Sequence, residues 1–581
     1  MRRRDRQHRE YLQSRPVRKP QVWRLLLFPL VLLVLVWFVY NLSNITGYQH
    51  QSHSYLYTRS HLPLTSQKQF DVRFYDLNLN FDFPVDSTRP YMAGAVTIRF
   101  TSRVETLKEI QLDFNTTMRV DSVTGNSYRF QFKNGILTIY LRHPLAQGQT
   151  DAVTIYYHGF PAQYHPWVKG LAFTWRRRND YTPVPWVNTM NPPFAAQTWF
   201  PCKDVPADKA DSATIRITVP DTLLAVSNGL LAATRAVGKG RKQYIWKTRY
   251  PIAPYLIAVN IGDYQQYRFT YTSITGETFP IDFYHFHEDA EVLQEVQRQM
   301  YRMMHFFETH LGPYPFRKEK YGMILYNNSG GMENQTISSI QTFSPARERL
   351  FAHELAHQWI GNWVTNASFH QSFLNEGMAT YLTALYWRSL HGDSAFVAYM
   401  ERMRVENVGP ILVANIQVPD SVYSTDRVYF KGAWFFRMVH EIVGERAFWQ
   451  ALRTVLNTHG GGTITTADFL TVLPPQPVLQ EFFNSWLQHP GIPQLYLTIS
   501  SLKETERLWR YRVQVRQKNR HPFVVQLPLV FNTRDGMVEK KFWVKEKQES
   551  FQVNLNSPLD SIHVANRGRW LMMVTQQWQL P

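Results

Sequence analysis

Two histidines four residues apart enclose a glutamate in the apolar segment FAHELAHQWIGNW, residues 351–363. In a helix, His353 and His357 lie one turn apart on the same face, so both imidazoles can bind one metal ion. Glu354 lies about 100° further round the helix, where its carboxylate can hold a water molecule beside the metal. A buried helix with two incidental histidines would contain the same pattern. The spacing therefore suggests a metal site, for which a third ligand is needed.

A third ligand is available in the segment FLNEGMATYLTALYW, which has apolar residues at helical spacing. Glu376 follows His357 by nineteen residues and lies near the start of that segment. Two imidazoles and one carboxylate leave a zinc ion one open position for water, which is the arrangement of catalytic sites. A glutamate in the first turn of a helix can instead complement the helix dipole. The sequence thus offers a ligand set for catalytic zinc, with a structural alternative for Glu376.

Two further segments contain groups that could act on a substrate. The segment NNSGGMENQT combines the Gly330-Gly331 turn with Glu333, so a substrate backbone can approach closely beside an acid that could bind a positive group. The segment DRVYFKGAWFF places Tyr429 before a Lys-Gly pair. A phenol near zinc can donate a hydrogen bond to an oxyanion. By themselves, these segments would be a loop and a core tyrosine.

The elements that must position these residues change in type along the chain. From about residue 70 to 270, apolar and polar residues alternate, which predicts an antiparallel β domain with one buried face. Within it, YRFQFKNGILTIYL predicts a hairpin that turns at Asn134-Gly135. Helical spacing follows after about residue 285, and alternation returns from about residue 495, which predicts a small β-sandwich. The predicted helical stretches are 289–312, 346–360, 375–391 and 432–457.

These patterns predict an α+β multidomain chain with a membrane anchor before the first domain. The predicted parts are a basic cytoplasmic segment (1–24), a transmembrane signal anchor (25–42), a linker (43–68), an N-terminal β domain (69–270), a helix-rich zinc-binding domain (271–490) and a C-terminal β-sandwich (491–581).

The predicted anchor rests on residues 25–40, which contain no charged side chain. With its apolar edges, the run approaches the ~20 residues that span a bilayer. The basic leader precedes it and only Arg59 occurs in the twenty residues after it, so the positive-inside rule keeps the N-terminus in the cytoplasm. A cleaved signal peptide is the alternative, but no small-x-small cleavage site follows. We expect a single-pass protein whose catalytic domain lies in the periplasm or outside the cell.

Charge and cysteine content exclude other classes of protein. The formal net charge is +18, of which the first 24 residues contribute nine basic against two acidic side chains. The remaining excess is spread over the chain without a clustered basic face, which argues against a nucleic-acid partner. Cys202 is the single cysteine, so no internal disulfide can form. Its apolar neighbours favour a packed small side chain over a nucleophile.

Taken together, the motifs GGMEN, HELAH, NEG and VYFKGA resemble, in order and spacing, those of the M1 family of zinc aminopeptidases, the gluzincins. The resemblance extends to TWFPCKDVPADKA (198–210), PYLIAVNIGDY (254–264) and LGPYPF (311–316), and so covers roughly residues 70 to 581. It implies a thermolysin-like catalytic domain, one zinc ion per chain and peptide substrates with free N-termini. The chain ends after the predicted sandwich, which resembles the shorter members that have no C-terminal helical domain.

The resemblance also implies roles for the matching residues. His353, His357 and Glu376 would bind zinc. Glu354 would act as general base and then as proton donor to the leaving amine, and Tyr429 would stabilise the tetrahedral oxyanion. The remaining implied positions contact the substrate: Gly330 and Gly331 through its backbone, Met332 beside them, and Glu333 through its free α-amino group.

One segment departs from the family pattern. Members usually have a second acidic or amide residue for the substrate amine, a few positions before an Arg, in the segment that ends in WFPCxD. Here Pro192 takes the place of the acid and Gln197 that of the Arg, with Asn191 as a partial substitute. An endopeptidase or another zinc hydrolase is therefore an alternative to the aminopeptidase, and a non-catalytic scaffold is a third.

Overall fold

The computed structural model describes residues 65–84, 90–162, 168–505 and 508–579. The predicted anchor (25–42), the basic segment before it and most of the predicted linker lie outside these ranges. Among the helices within the described ranges, none combines the length and the apolar character needed to cross a membrane.

The N-terminal domain consists of strands whose side chains alternate between buried and exposed. Its strands are β1 Phe70–Asp82, β2 Tyr91–Ser102, β3 Leu107–Asp113, β4 Met118–Gly125, β5 Arg129–Lys133, β6 Ile136–Leu145, β7 Thr150–Gly159, β8 Gly170–Arg177, β9 Pro183–Met190, β10 Ser212–Pro220, β11 Leu224–Val226, β12 Leu230–Ala236, β13 Arg241–Thr248 and β14 Asn260–Gly262. They form sheets of seven strands (β12-β13-β10-β1-β2-β7-β4), four strands (β11-β14-β9-β8) and three strands (β3-β6-β5). In β1, Leu77, Leu79 and Phe81 are fully buried and face one core.

The antiparallel prediction holds for this domain with one exception: β1 and β10 run parallel. More than a hundred residues separate these strands along the chain, which is enough for the crossover that a parallel pair requires. The predicted hairpin is confirmed. Asn134 and Gly135 connect β5 to β6 with φ values of 53° and 74°, because a two-residue turn of this kind requires positive φ at both positions. Cys202 is fully buried, as predicted for a packed side chain.

The predicted helix-rich domain begins with a five-stranded sheet and continues with helices. Its strands are β15 Gln265–Thr272, β16 Thr278–His285, β17 Tyr321–Leu325, β18 Gly331–Met332 and β19 Ser338–Ile340, with the short pair β20 Thr365–Asn366 and β21 Thr463–Ile464. The strand order is β15-β16-β17-β19-β18, so β18 is an edge strand. The predicted domain boundary at 270/271 falls inside β15, since this strand pairs with β16 and not with the N-terminal sheets.

Helices occupy each predicted stretch, and three further helices of the described residues lie outside these stretches. The helices are α1 Leu293–Leu311, α2 Glu348–Ala356, α3 Phe373–Arg402, α4 Pro419–Val422, α5 Gly432–Val443, α6 Glu445–Thr458, α7 Thr466–Thr471 and α8 Pro477–Gln488. The stretch 432–457 is two helices, because Gly444 adopts a φ of 85° between α5 and α6. Helix α3 runs beyond residue 391 to Arg402, with a kink at Gly392, where φ is 78°.

The C-terminal region is a two-sheet sandwich, as expected. Its strands are β22 Gln494–Thr505, β23 Leu508–Gln517, β24 Val525–Thr533, β25 Gly536–Val544, β26 Gln548–Leu555, β27 Leu559–Val564 and β28 Met573–Gln579. One sheet has the order β26-β23-β22-β28 and the other β25-β24-β27. The loop before β28 contacts the catalytic helices: Arg437 of α5 donates to the Gly568 carbonyl (2.8 Å), and the Gly568 amide donates to Glu401 of α3 (2.7 Å). The sandwich thereby supports α3, the helix that contains Glu376.

Two glycines allow α3 and α5 to approach closely beside the predicted site. A Cβ atom on Gly377 would lie 2.9 Å from the Cα of Gly432, and one on Gly432 would lie 3.1 Å from the Cα of Gly377. These are backbone contacts and cannot be relieved by rotating a side chain. Gly377 follows Glu376, and Gly432 lies three residues after Tyr429. The crossing therefore fixes the distance between a predicted metal ligand and the predicted oxyanion donor.

We expect Gly377→Ala to destabilise the protein by about 1–3 kcal/mol, because the added methyl group must separate two packed helices. Glycine-to-alanine changes inside a helix normally stabilise it by roughly 0.5–1 kcal/mol, so the predicted sign is diagnostic. Thermal and urea unfolding measure the effect. Gly409→Ala is the matched control, since a Cβ there would lie 3.4 Å from the flexible Arg427 side chain. Unfolding of Gly377→Ala at or above the wild-type temperature would contradict the prediction.

Candidate metal centre and active-site cavity

Helix α2 presents the first pair of predicted ligands. Phe351 and Leu355 are fully buried on the face that packs into the domain. His353 lies inside the helix, and His357 follows its last residue with φ −59° and ψ −24°, which continues the helical geometry. The two imidazoles consequently project from one face, with their Nε2 atoms 3.1 Å apart.

The third predicted ligand completes a triangle of donor atoms. Glu376 Oε2 lies 3.4 Å from His353 Nε2 and 3.2 Å from His357 Nε2. Ligand atoms at the usual 2.0–2.1 Å from a tetrahedral zinc ion are roughly 3.3–3.4 Å apart. Within the described residues, these three side chains form the group able to bind a metal ion. The observed spacings therefore fit zinc without rearrangement.

Electrostatics and hydrogen bonding also fit a cation at this point. Burial opposes a charge on His357, but the carboxylates of Glu376, Glu333 and Glu354 outweigh it and raise its pKa to about 10. Burial likewise opposes ionisation of Glu376, but His357 and His353 lower its pKa to about 2. The site thus favours a positive charge between these groups. His357 Nδ1 lies 3.2 Å from the Ile360 carbonyl, a contact that orients the ring so that Nε2 faces the ligand triangle.

Glu354 lies beside the triangle and in contact with the predicted substrate loop. A Cβ atom on Gly331 would lie 2.1 Å from Glu354 Oε1, so a residue with a side chain cannot occupy position 331 without displacing this carboxylate. Burial raises the pKa of Glu354 well above its usual value, and the charges of Glu333 and Glu376 add to this effect. A carboxyl group with a raised pKa can both accept and return a proton near neutral pH.

The loop before β18 supplies the predicted substrate contacts. Gly330, with φ 78°, donates to Gln341 Oε1 (3.4 Å), and its carbonyl accepts from the Gln341 amide (3.1 Å). Gly331 begins the edge strand and is therefore the better placed of the two glycines to pair with a substrate backbone. Met332 is buried. Glu333 is 6% exposed, and burial raises its pKa to about 7.

Tyr429 comes from a π-helical turn, Thr425–Lys431, immediately before α5. Its ring stacks against that of His353, with 5.9 Å between centroids. Burial, together with the nearby carboxylates, raises the pKa of the phenol well above 10, so the hydroxyl keeps its proton and can donate it in a hydrogen bond. Short π-helical turns are rare and concentrate at functional sites.

The structure brings all nine predicted site residues to one cavity of about 560 Å³. They are Gly330, Gly331, Met332, Glu333, His353, Glu354, His357, Glu376 and Tyr429. Other residues that line this cavity were not predicted from the sequence: Met190, Ser329, Leu350, Asp420, Tyr423, Ser424 and Thr425. Most of these come from segments without a recognisable motif. One sequence signal could have indicated that Tyr423 and its neighbours line the site: they lie just before the motif VYFKGA.

The segment that departs from the family pattern, around Pro192, contributes to the wall of the cavity. Pro192 lines it, whereas Asn191 does not and is fully buried. The Asn191 amide nitrogen donates to the carbonyls of Tyr255 (3.2 Å) and Ile257 (2.9 Å), and its oxygen accepts from Trp199 (2.9 Å). The suggestion that Asn191 substitutes for the second amine ligand is therefore wrong, because its polar atoms already bond within the fold.

The N-terminal domain supports the metal-binding segment through backbone contacts. Lys209 Nζ donates to the carbonyls of Asn362 (2.7 Å) and Trp363 (3.2 Å), in the loop that follows His357. Asn362 in turn donates to the Glu333 carbonyl (2.6 Å). The loop after the second histidine and the loop that contains Glu333 are thus linked to each other and to the β domain.

Comparison with known proteins agrees with this geometry. The Peptidase M1 N-terminal domain model matches residues 72–256, and the Peptidase family M1 domain model matches residues 295–486. Together they cover about two thirds of the chain. An M1 zinc metallopeptidase from Deinococcus radiodurans superposes with a TM-score of 0.59 at 26% identity, covering 71% of this chain and 91% of that one. A variant of that enzyme has been solved with a Tyr-Ser-Ala substrate, with the same TM-score, identity and 91% coverage.

Curated relatives match over the same region. Leucine aminopeptidase 2 of Emericella nidulans is 28% identical over 330 residues, which is 51% of each chain. Endoplasmic reticulum aminopeptidase 1 of Homo sapiens is 27% identical over 340 residues, which is 54% of this chain and 35% of that protein. The chain spans about half the length of the leucine aminopeptidases it matches. With both domain models matched in order and the ligand triangle in place, the chain belongs to peptidase family M1.

Proposed function

We propose that the protein is a zinc-dependent aminopeptidase that hydrolyses N-terminal residues from peptides. The observation that supports this most is the convergence, in one cavity, of the ligand triangle with the buried carboxyls of Glu354 and Glu333. A peptidase requires an activated water and a stabilised oxyanion, and an aminopeptidase also requires an acceptor for the α-amino group. The matching relatives are named as aminopeptidases, and similarity to them supports the same function for this chain.

The zinc ion, when bound by His353, His357 and Glu376, would lower the pKa of a water molecule and polarise the scissile carbonyl. Glu354 accepts the proton of that water and later returns it to the leaving amine. Tyr429 donates a hydrogen bond to the oxygen that becomes negative. Gly331 leaves space for the Glu354 carboxylate, so it both permits this geometry and offers an edge strand to the substrate backbone.

Glu333 sets the position of the substrate's first residue in this proposal. Its buried carboxylate can form an ion pair with an α-ammonium group, which would also lower its raised pKa. Pro192 offers no hydrogen-bond donor or acceptor of its own side chain at the position where the family usually has a second amine ligand. We therefore expect the preference for free N-termini to depend on Glu333 more strongly than in relatives with two ligands.

Two glutamine variants separate zinc binding from proton transfer. Glu376→Gln should reduce zinc affinity more than about 100-fold, because it removes an anionic ligand. Glu354→Gln should keep one zinc ion per chain and lose about 10²–10⁴ in kcat, because it removes the general base. Zinc content by plasma emission spectroscopy and hydrolysis of an amino-acid amide measure the two effects. A Glu354→Gln enzyme as active as wild type would disprove the mechanism and favour a scaffold.

An endopeptidase or another hydrolase is the second candidate, and the observation that favours it is Pro192. With a single acidic amine ligand, an internal peptide bond could also bind productively. Mass spectrometry of the products from matched free and N-acetylated peptides distinguishes the candidates. We expect the free peptides to be cut at least about tenfold faster and from the terminus, since a desolvated charge pair is worth more than about 1.4 kcal/mol. Equal rates with internal products would establish the endopeptidase.

We further propose that residues 25–42 anchor the chain in a lipid bilayer, with the catalytic domain outside the cytoplasm. The basis is the sequence: an uncharged apolar run preceded by a basic leader. The full chain should then stay with the membrane fraction after an alkaline carbonate wash, while added protease should reach the catalytic domain from the extracytoplasmic side. Release of the chain by the wash would contradict this topology. Protection of the catalytic domain from added protease, in cells whose inner membrane is still intact, would also contradict it.

A further inference from the structure

A second cavity, of about 410 Å³, adjoins the active-site cavity. The two share Leu350, His353, Thr425 and Tyr429. Glu333 and Glu354 line the first cavity and not the second. The second cavity therefore extends the site past His353 and Tyr429 and is not lined by the proposed amine ligand.

Helices α2 and α3 form the walls of this cavity and lead away from the metal site. Arg349 lies one turn before His353 on α2, and so on the same face. Thr380 and Thr383 lie about one and two turns after Glu376 on α3. Beyond the kink at Gly392, Tyr399 and Arg402 of α3 line the same cavity.

Apart from the metal-site residue His353, the ionisable side chains that give this cavity its charge are all positive. Arg347, Arg349 and Arg402 line it, and no carboxylate does within the described chain. All three are exposed, and within the same described part none of them forms an ion pair with an acidic side chain. The Arg349 guanidinium lies over the rings of Trp387 (5.3 Å) and Tyr399 (5.4 Å), which fixes its position without using its N–H donors.

The placement of two of these arginines is unfavourable for the helix itself. Arg347 and Arg349 flank Glu348, the first residue of α2, and cations near a helix N-terminus interact unfavourably with the helix dipole. The Glu348 carboxylate accepts from Tyr386 and pairs with Arg302, and it does not line the cavity. Both the dipole and the guanidinium groups attract an anion to this end of the cavity. The cavity is thus suited to a carboxylate.

We propose that this second cavity is a leaving-group subsite that selects peptides with a carboxylate directly after the scissile bond. The inference rests on the proposed function, since a substrate whose amine binds Glu333 and whose first carbonyl lies at the metal must continue past His353 and Tyr429. Two sources of carboxylate satisfy the subsite: the side chain of Asp or Glu at the second residue, or the C-terminus of a dipeptide. Arg347, Arg349 and Arg402 are the specificity-determining residues.

The test compares matched substrates on the zinc-loaded full chain. Leu-Glu-Ala-amide and Leu-Gln-Ala-amide differ only in the charge of the second residue, and Leu-Gln and Leu-Gln-amide differ only in the terminal carboxylate. We expect kcat/KM to be on the order of 5- to 30-fold higher for the charged member of at least one pair, and the ratio to fall toward one in 1 M salt, where charge pairs are screened. The pair that shows the effect identifies the source of the carboxylate.

Variants assign the effect to the arginines. The triple substitution R347Q/R349Q/R402Q should bring the ratio to about one. The lysine double R347K/R402K leaves the stacked Arg349 in place and should retain most of the ratio, since the charge is kept. The single substitution R402Q, at an exposed helix end, serves if the triple variant folds poorly. R446Q is the matched control: Arg446 is an exposed arginine of α6 outside both cavities, so its ratio and activity should equal the wild type's.

The outcomes separate this inference from the proposed function. Equal kcat/KM within both pairs for the wild type would overturn the subsite and leave the aminopeptidase intact. A ratio that persists in the glutamine triple would also overturn it, because the selectivity would then come from other residues. If no peptide is cut, the proposed function fails, and calorimetric binding of the two tripeptide amides still decides the subsite: equal affinities would overturn it.

Discussion

The structure depends on a balance of charge in a buried space. Three glutamates, Glu333, Glu354 and Glu376, line one cavity, and each is nearly inaccessible to water. Such a concentration of acidic groups is costly unless a positive charge lies among them. The imidazoles of His353 and His357 provide the point at which a cation can meet that need. The groups proposed for metal binding, proton transfer and amine recognition are therefore parts of one electrostatic arrangement.

The geometry of this arrangement comes from rigid elements and not from long side chains. Helix α2 presents the histidines, α3 presents Glu376, the edge strand β18 presents the substrate loop, and a π-helical turn presents Tyr429. Their separations are set where backbones meet: Gly377 against Gly432, and Gly331 against the Glu354 carboxylate. Sites built on packed elements keep catalytic groups within narrow tolerances, which proton transfer requires.

Two polar residues of the β domain, Asn191 and Lys209, stabilise the backbone around the site. Asn191 and Lys209 bond to backbone carbonyls, the first within the domain and the second across to the loop after His357. At the position that departs from the family pattern, this chain has Pro192 at the cavity wall. In the proposed function, recognition of the substrate amine therefore depends on Glu333, and the proposed subsite adds Arg347, Arg349 and Arg402 in the adjoining cavity.

The sequence by itself determined the parts of the protein that local spacing controls. His353 and His357 at i and i+4, the Asn134-Gly135 turn and the alternating strands follow from helix and strand periodicity, and the ordered motifs identified Glu376, Glu333 and Tyr429. Tertiary structure alone decided the burial of Asn191, the placement of Met190 at the active-site cavity, and the presence of Arg349 and Arg402 in one cavity. These depend on contacts between segments far apart in the chain, and no local pattern encodes such contacts because they arise only when the elements pack.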